Sequence, residues 1–322
     1  MSMWFRSLAV GFAVAGLTAV PAAAQFTFNQ IAVTGDLAPG VDDGAEFDFF
    51  SGNPTLNAAG DVAFEAFLRR GSGPDAGDVS SGNNRNAIFG PAAGAGTPLS
   101  VLAREGQAAP GVDDGAEFSF FGSPALNDAG DVAFSAGLRL EDGSGAGNVD
   151  TGNNRTAILG PDAGGGAPLS VLARAGQTAP GVHDGAEFDL FSGTPTLNAA
   201  GDVAFLASLR TVAGDVDDSN DTGLFAFVDG VLKLIVREGD LVDVVPADGL
   251  AEALTVSAIN FDNDVFDGST GFNDAGTLAF GLAFTNGTSG IFTVTVPEPG
   301  AGFVLLAALG GVLRPRRVAR PA

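Results

Sequence analysis

The stretch "LNAAGDVAF" at residues 56–64 decides the fold, because the chain repeats it at regular intervals. Three further copies follow: "LNDAGDVAF" at 126–134, "LNAAGDVAF" at 197–205 and, more loosely, "FNDAGTLAF" at 272–280. The asparagines of the four copies are spaced 70, 71 and 75 residues apart: Asn57, Asn127, Asn198 and Asn273. Self-similarity at a nearly fixed period indicates an array of similar structural units.

Each unit contains about four candidate strands. In "GDVAFEAFL", Val62 and Phe64 alternate with Ala63 and Glu65, which is the two-residue period of a pleated strand. The other candidates are "AIFG", written "GLFAFV" in the third unit, "LSVLAR" and "EFDFF". Gly-Asp, Asn-Asn and Pro-Gly-Val-Asp-Asp-Gly separate them as turns. No helical spacing extends beyond a turn or two between residues 25 and 296, so the sequence predicts an all-β fold.

The repeat also predicts how the units are arranged. Four-stranded units suit the blades of a β-propeller. The fourth unit ends at "GIFTVTV" (290–296), after its second strand, while "FTFNQIAVTGDLAPG" (26–40) matches the third strand of the other units and the loop after it. We therefore predict a four-repeat β-propeller closed by pairing of the N- and C-terminal strands, 27–34 with 290–296. The alternative is an open β-solenoid of stacked repeats.

Residues 1–24 have the pattern of a secretory signal peptide. Arg6 supplies the positive start, Leu8 to Val20 form an apolar run, and Ala22-x-Ala24 is a small-residue cleavage site. The run is too short for the roughly 20 residues of a membrane span. We predict cleavage after Ala24, which leaves residues 25–296 as the repeat domain.

Residues 297–322 form a C-terminal segment of a different kind. An apolar run over 301–313 is followed at once by an arginine cluster, which is the pattern of a stop-transfer helix with its positive end in the cytoplasm. With the preceding Pro-Glu-Pro, the segment resembles the PEP-CTERM sorting signal of Gram-negative and related bacteria. The matching residues are Pro297, Glu298, Pro299, Arg314, Arg316 and Arg317. This resemblance implies transient insertion in the inner membrane, processing by an exosortase and an association with extracellular polysaccharide production.

The repeats resemble the NxxGxxAF tandem-repeat family of exported bacterial proteins, whose members differ in how they are anchored. The resemblance implies a role at the cell surface or in the extracellular matrix, as in a biofilm. We assign a structural role to the motif residues, because the motif reads as a turn that starts a strand. The four full copies of the motif are Asn57, Gly60, Ala63 and Phe64; Asn127, Gly130, Ala133 and Phe134; Asn198, Gly201, Ala204 and Phe205; and Asn273, Gly276, Ala279 and Phe280.

Composition excludes several classes of function. The chain has no cysteine, which excludes disulfides, thiolate metal sites and cysteine nucleophiles. Its net charge of −23 disfavours binding to nucleic acid or to anionic lipid. The single histidine, His183, stands where other units have aspartate and has no visible catalytic partner. We predict no catalytic residue and no enzymatic activity.

An exported glycan hydrolase is the alternative function. Acidic pairs such as Asp42-Asp43 and Asp113-Asp114 provide the two carboxylates that glycoside hydrolysis requires. These pairs recur in the same loop of successive units, whereas a catalytic pair is normally unique. We therefore interpret them as turn residues.

Calcium is the one cofactor that the sequence suggests. The stretches "GDVDDSNDTG" (214–223) and "NFDNDVFDG" (260–268) crowd the oxygen ligands that Ca²⁺ prefers, although neither fits an EF-hand. The candidate ligands are Asp215, Asp217, Asp221, Asp262 and Asp264, with the repeated loops around Asp42, Asp113 and Asp184 as further candidates. The overall expectation is a non-enzymatic exported protein that binds extracellular polysaccharide or other surface proteins.

Overall fold

The computed structural model describes residues 29–73, 77–80, 84–112, 115–140, 154–162, 166, 168–182, 185–210, 216–244, 252–261 and 271–297. The chain divides into two compact units, residues 1–31 and 32–322, and every strand belongs to the second. Within the described ranges the regular structure is entirely β, which confirms the predicted fold class. The predicted signal peptide (1–24) and residues 298–322 lie outside the described residues.

The strands form four antiparallel sheets in chain order. The first sheet contains β1 (Glu46–Leu56), β2 (Val62–Arg69), β3 (Asn86–Pro91) and β4 (Leu99–Arg104). The second contains β5 (Ala116–Phe121), β6 (Ala125–Leu126), β7 (Val132–Leu140), β8 (Thr156–Pro161) and β9 (Leu169–Arg174). The third contains β10 (Glu187–Leu197), β11 (Val203–Arg210), β12 (Thr222–Val228) and β13 (Val231–Arg237). The fourth contains β14 (Leu241–Val244), β15 (Glu252–Asn260), β16 (Thr277–Phe284) and β17 (Ser289–Thr295).

The first three sheets repeat one meander. The "EFDFF"-type strand lies at one edge, the repeat-motif strand comes next, and the "AIFG" and "LSVLAR" strands follow in order. The register slips at the same place in each first pair, for example between Phe47 and Phe49 in β1. The predicted motif turn is also present, because the Gly60 amide donates to the Asn57 carbonyl oxygen and Gly60 adopts a φ of 89°.

The fourth sheet departs from this plan. It gains β14 beside β15, and its order β14-β15-β16-β17 leaves β17 at the edge. The predicted closing strand is not formed, since residues 29–34 have no strand pairing and residues 27–28 lie outside the described part. A turn follows at Val33 to Asp36, where the Asp36 amide donates to the Val33 carbonyl at 3.0 Å, and the same turn follows β4, where the Gln107 amide donates to the Arg104 carbonyl at 3.0 Å. The turn is therefore a feature of the repeat and does not account for the missing pairing.

The core lies between successive sheets. We call the face that carries the motif phenylalanine of each sheet its front face, and the face that carries the motif alanine its back face. Three apolar clusters each join the back face of one sheet to the front face of the next. A Cβ atom added at Gly90, on the back face of the first sheet, would lie 3.2 Å from Val132 Cγ2. The sheets are therefore in close contact at this point, which leaves no room for a side chain at Gly90.

Candidate functional site

The residues of the repeat motif lie at equivalent places in four separate sheets and are not brought together in one pocket. The motif glycines all turn the chain with a positive φ, namely Gly60, Gly130, Gly201 and Gly276. The motif phenylalanines are all buried on the front faces, namely Phe64, Phe134, Phe205 and Phe280. The motif alanines are buried on the back faces of the first three sheets, namely Ala63, Ala133 and Ala204. The fourth, Ala279, is exposed, so one motif residue departs from the pattern of the other units.

The packing of these residues explains why the motif specifies them. Phe205 stacks with Phe225 of the neighbouring strand, with ring centroids 6.1 Å apart, and Phe134 meets the Phe121 ring edge-on at 5.6 Å. Such aromatic pairs stabilise a sheet beyond the area they bury. On the opposite face, Ala204 lies in the cluster that joins the third sheet to the fourth, where a larger side chain would push the sheets apart. The glycine, alanine and phenylalanine of the motif therefore act in turns and packing.

The motif asparagines connect the four sheets through one line of hydrogen bonds, which we call the asparagine ladder. In each of the first three units, the asparagine Nδ2 donates to the backbone carbonyl of the asparagine in the next unit. The distances are 3.1 Å from Asn57 to Asn127, 2.8 Å from Asn127 to Asn198 and 3.3 Å from Asn198 to Asn273. The repeat spacing of 70 to 75 residues is thus the sequence distance between successive asparagines of the ladder.

Each asparagine of the first three units also holds an aspartate four residues later. Asn57 Nδ2 donates to Asp61 Oδ2 at 2.9 Å, and the Asp61 amide donates to Asn57 Oδ1 at 2.8 Å. The same pair of bonds joins Asn127 to Asp131 and Asn198 to Asp202. The asparagines were predicted as motif residues but these aspartates were not, although the recurring "GD" of the motif was the available signal.

The ladder carboxylates are committed to backbone donors. Amides from the hairpin that follows each motif strand donate to them: Gly96 to Asp61, Gly166 to Asp131 and Asp229 to Asp202. The repeated acids of the motif therefore act in structure. The fourth unit has Thr277 at this position.

The repeated acidic loop is also a structural turn where it is described. Asp43 Oδ1 accepts a hydrogen bond from the Ala45 amide at 3.1 Å, and Asp43 Oδ2 forms a salt bridge with Arg104 Nη1 at 2.7 Å. Asp42 beside it is exposed. This agrees with the prediction that the acidic pair consists of turn residues. Asp113, Asp114, His183 and Asp184 lie outside the described residues.

Two of the proposed calcium ligands are described. Asp217 Oδ1 accepts the amide and the hydroxyl of Ser219, and these hydrogen bonds hold the pKa of Asp217 below its usual range. Asp221 lies immediately before β12, and its Oδ1 accepts a hydrogen bond from the Thr222 hydroxyl. Within the described ranges no three carboxylate or histidine side chains are grouped as a metal site requires. Asp215, Asp262 and Asp264 lie outside those ranges.

Glu238 is the one acid in the described part of the chain whose pKa is raised. Burial raises the pKa of Glu238 most, and the neighbouring Asp221 carboxylate adds to the shift. The equivalent acid of the first unit is Glu105, which accepts the backbone amides of Arg85 and Asn86. Asp221 occupies the position that Arg85 has in the first unit. This replacement of a cation by an anion beside Glu238 was the signal in the sequence for the Glu238–Asp221 pair.

A cleft of about 440 Å³ lies where the first and second sheets meet. Its described lining is mostly apolar and includes Pro91, Leu102 and Val132. Asp131 is the only ionisable side chain in that lining, and its carboxylate already accepts the Gly166 amide and Asn127 Nδ2. The cleft therefore offers shape and apolar contact rather than acid–base chemistry.

The C-terminal end of the repeat domain is fixed to two sheets. The Val296 amide donates to the Gly276 carbonyl at 2.8 Å, and Lys233 Nζ donates to the Pro297 carbonyl at 2.5 Å. Glu298, Pro299 and the arginines of the predicted sorting signal lie outside the described residues. In the part of the chain that the structure describes, no helix has the length and apolar character to cross a membrane.

Comparison with known proteins gives one match. No curated protein matches this sequence. No solved structure matches it either. The model of a family of unknown function, DUF7453, matches residues 10–303, which is most of the chain. The protein therefore belongs to this family of unknown function, DUF7453.

Proposed function

We propose that this protein is a non-enzymatic exported component of the cell surface or extracellular matrix, which associates with extracellular polysaccharide or with other surface proteins. The observation that carries the proposal is the use of the repeated polar side chains. The motif asparagines and aspartates of the first three units tie sheet to sheet and loop to sheet. Because these recurring polar groups hold the sheets and loops together, the chain is suited to presenting surfaces to a partner.

Export rests on the two ends of the chain. A signal peptide over residues 1–24 would direct secretion, and the PEP-CTERM-like segment 297–322 would insert in the inner membrane until an exosortase processes it. The last strand, β17, ends at Thr295, two residues before Pro297. All strands of the four sheets therefore lie on the N-terminal side of the proposed processing site.

For the arrangement of the units we propose the open series of stacked repeats rather than the closed propeller. The support is the missing closing strand at 29–34 and the position of β17 at the edge of its sheet. Apolar side chains are also exposed at both ends of the series: Leu56 of the first sheet is 70% exposed and Ile291 of the fourth is 83% exposed. A closed ring would cover both residues.

Polysaccharide binding would use the repeated acidic loops, with Ca²⁺ bridging their carboxylates to acidic sugars. Asp42 is exposed in the first of these loops, and weak contacts repeated along one chain sum to useful avidity. The proposed bridging residues are Asp42, Asp113 and Asp184.

The test is a pull-down of the full chain with the extracellular polysaccharide of the producing organism, once with calcium and once with a chelator. We expect saturable binding in calcium that the chelator abolishes, and its loss in the triple variant Asp42→Asn, Asp113→Asn, Asp184→Asn. The matched control removes three exposed acids outside these loops and outside the other candidate calcium stretches, Asp78→Asn, Asp229→Asn and Asp243→Asn, and should still bind. Absence of binding in both conditions would contradict the polysaccharide proposal and direct attention to protein partners.

A glycan hydrolase is the second candidate, because Glu238 has the raised pKa of a general acid and lies beside Asp221. The two carboxyls are hydrogen-bonded to each other, whereas glycosidases separate theirs by about 5 Å or more. That contact disfavours hydrolysis. Glycan release by the purified chain that disappears in Glu238→Gln would establish the hydrolase and overturn the non-enzymatic proposal.

A further inference from the structure

The two ends of the series of sheets expose opposite halves of one recurring interface. The residue before the motif asparagine lies on the front face. It is buried wherever a sheet precedes it, at 9% for Leu126, 2% for Leu197 and 0% for Phe272, but Leu56 is 70% exposed. Among the described residues, the first sheet therefore leaves the part of its front face around Leu56 and Phe50 open, while Phe64 deeper in the same face is buried.

The back face of the fourth sheet shows the complementary pattern. Ile88, Ile158 and Leu224 occupy the same position in the first three units, and each is fully buried by the following sheet. Ile291 holds that position in β17 and is 83% exposed. The motif alanine behaves in the same way, since it is buried in the first three units and exposed at Ala279.

The asparagine ladder also ends unmatched on both sides. In the described part of the chain, Asn273 Oδ1 accepts the Thr277 amide, whereas Asn273 Nδ2 has no acceptor. At the other end, the Asn57 carbonyl accepts the Gly60 amide, but no described residue supplies the second donor that the Asn127 carbonyl receives from Asn57. One end of the ladder offers a donor and the other an acceptor.

We propose that the back face of the fourth sheet binds the front face of the first sheet in a second copy of the chain, so that copies join head to tail. The interface consists of Ala279, Ile291 and Thr293 on one copy and Phe50, Leu56 and Val62 on the next. It continues the three internal interfaces and adds a ladder step from Asn273 Nδ2 to the Asn57 carbonyl. Because the two surfaces differ, the contact is heterologous and extends into a filament.

Thr293 fits this contact although the first two units have glycine there. In those units a leucine of the last strand fills the adjoining space: Leu102 Cδ1 lies 2.8 Å from a Cβ added at Gly90, and Leu172 Cδ1 lies 2.9 Å from one added at Gly160. The fourth sheet ends at β17 and brings no such leucine. The Thr293 side chain takes up the volume that the leucine occupies elsewhere.

The internal interfaces supply the geometry for a cross-linking test. A Cβ added at Gly90 lies 3.2 Å from Val132 Cγ2, and one at Gly160 lies 3.0 Å from Val203 Cγ2. The equivalent pair across two copies is Thr293 and Val62, which is close enough for a disulfide. The chain has no cysteine, so single cysteines can be introduced without background. High salt favours contact, because it screens the charge of −23 on each copy.

The experiment mixes full-length Val62→Cys and Thr293→Cys chains under mild oxidation and separates them without reductant. We expect a mixed disulfide of twice the mass. The mixed disulfide should be absent when Leu190→Cys replaces Val62→Cys. Leu190 is an exposed strand residue of the third sheet and belongs to neither of the two proposed binding faces. Adding Ile291→Asp to the Thr293→Cys chain should lower the yield at least about tenfold, while adding Leu190→Asp should not.

Absence of the mixed disulfide would overturn the proposal. So would a Val62→Cys/Thr293→Cys double variant that forms only a disulfide within one chain, since that result means the ring closes on itself. The inference rests on the open arrangement of sheets proposed above and not on any ligand. Failure of polysaccharide binding therefore leaves it standing.

Discussion

The second and fourth sheets are built on the same motif but meet different surroundings. In the second, Ala133 and Ile158 on the back face are fully buried under the third sheet. In the fourth, Ala279 is exposed and Ile291 is 83% exposed, because no sheet of the described part of the chain covers them. The comparison shows that burial in this protein is set by position in the series, and that the same side chain is core in one unit and surface in another.

The difference also explains why the motif loosens at the end of the chain. The "GDVAF" of the first three copies becomes "GTLAF" in the fourth. The aspartate is needed where a following hairpin donates an amide to it, as Gly166 does to Asp131. The front-face residues of the fourth sheet remain apolar, since Leu278 and Phe280 still pack on the third sheet. Each motif position is thus retained where it has a neighbour.

The largest expected effect separates Ile158 from Ile291. Ile158→Ala should lower the free energy of unfolding by about 2–5 kcal/mol, because it leaves a cavity between two sheets. Ile291→Ala should change it by less than about 0.5 kcal/mol, since the side chain is on the surface. Urea denaturation of the dilute full-length chains measures both. Equal losses at the two positions would break the comparison.

A middle-sized effect separates two steps of the asparagine ladder. Asn127→Ala removes bonds to Asp131 and to the Asn198 carbonyl inside the protein, and should cost about 1–3 kcal/mol. Asn273→Ala removes exposed turn bonds, such as that to the Thr277 amide, and should cost about 1 kcal/mol or less. Thermal unfolding of both variants gives the ranking, and a larger loss at Asn273 would contradict the ladder as an internal support.

The smallest expected effect concerns the turn between the third and fourth sheets. Because burial and Asp221 raise the pKa of Glu238, the folded state holds this proton more tightly than the unfolded state does. Its contribution to stability is complete below the usual carboxyl pKa of 4.5 and is lost as pH rises through the raised pKa. Glu238→Gln should therefore stabilise the chain by less than about 1 kcal/mol near pH 7, after allowance for solvent screening, and should have no effect near pH 4.

A stabilising effect of Glu238→Gln that is the same at both pH values would show that the carboxyl does not titrate in this range. The matched control is Glu105→Gln, at the same position of the first unit. That substitution should destabilise, because Glu105 accepts the amides of Arg85 and Asn86.

Much of the fold was predictable because repetition makes local patterns reliable. The alternation in Val62 to Phe64 and the turn at Asn57 to Gly60 recur, and both formed as predicted. The closing strand was not predictable in this way. Residues 26–40 match a strand of other units in sequence, but that strand forms only where a neighbouring strand pairs with it. Strand formation depends on a partner that local sequence does not specify.

The candidate site was predictable only in part. Asparagine-to-aspartate bonds within a turn follow from their spacing, but the bond from one asparagine to the next unit depends on how closely two sheets pack. That distance is set by small back-face residues such as Ala63 and Gly90, whose role becomes visible only when the facing Val132 is placed. The Glu238–Asp221 pair was missed because the two residues are 17 positions apart and meet through the pairing of β12 with β13.

The most direct test of the open series is thiol labelling of Ile291→Cys in the folded full-length chain, with Ile158→Cys as the buried reference. In an open series, the thiol of Ile291→Cys reacts at close to the unfolded rate in dilute solution and more slowly as the protein concentration rises. The thiol of Ile158→Cys stays protected throughout. Protection at 291 that is as strong as at 158 and independent of concentration would contradict the account, because only a ring closed within one chain covers that face at every dilution.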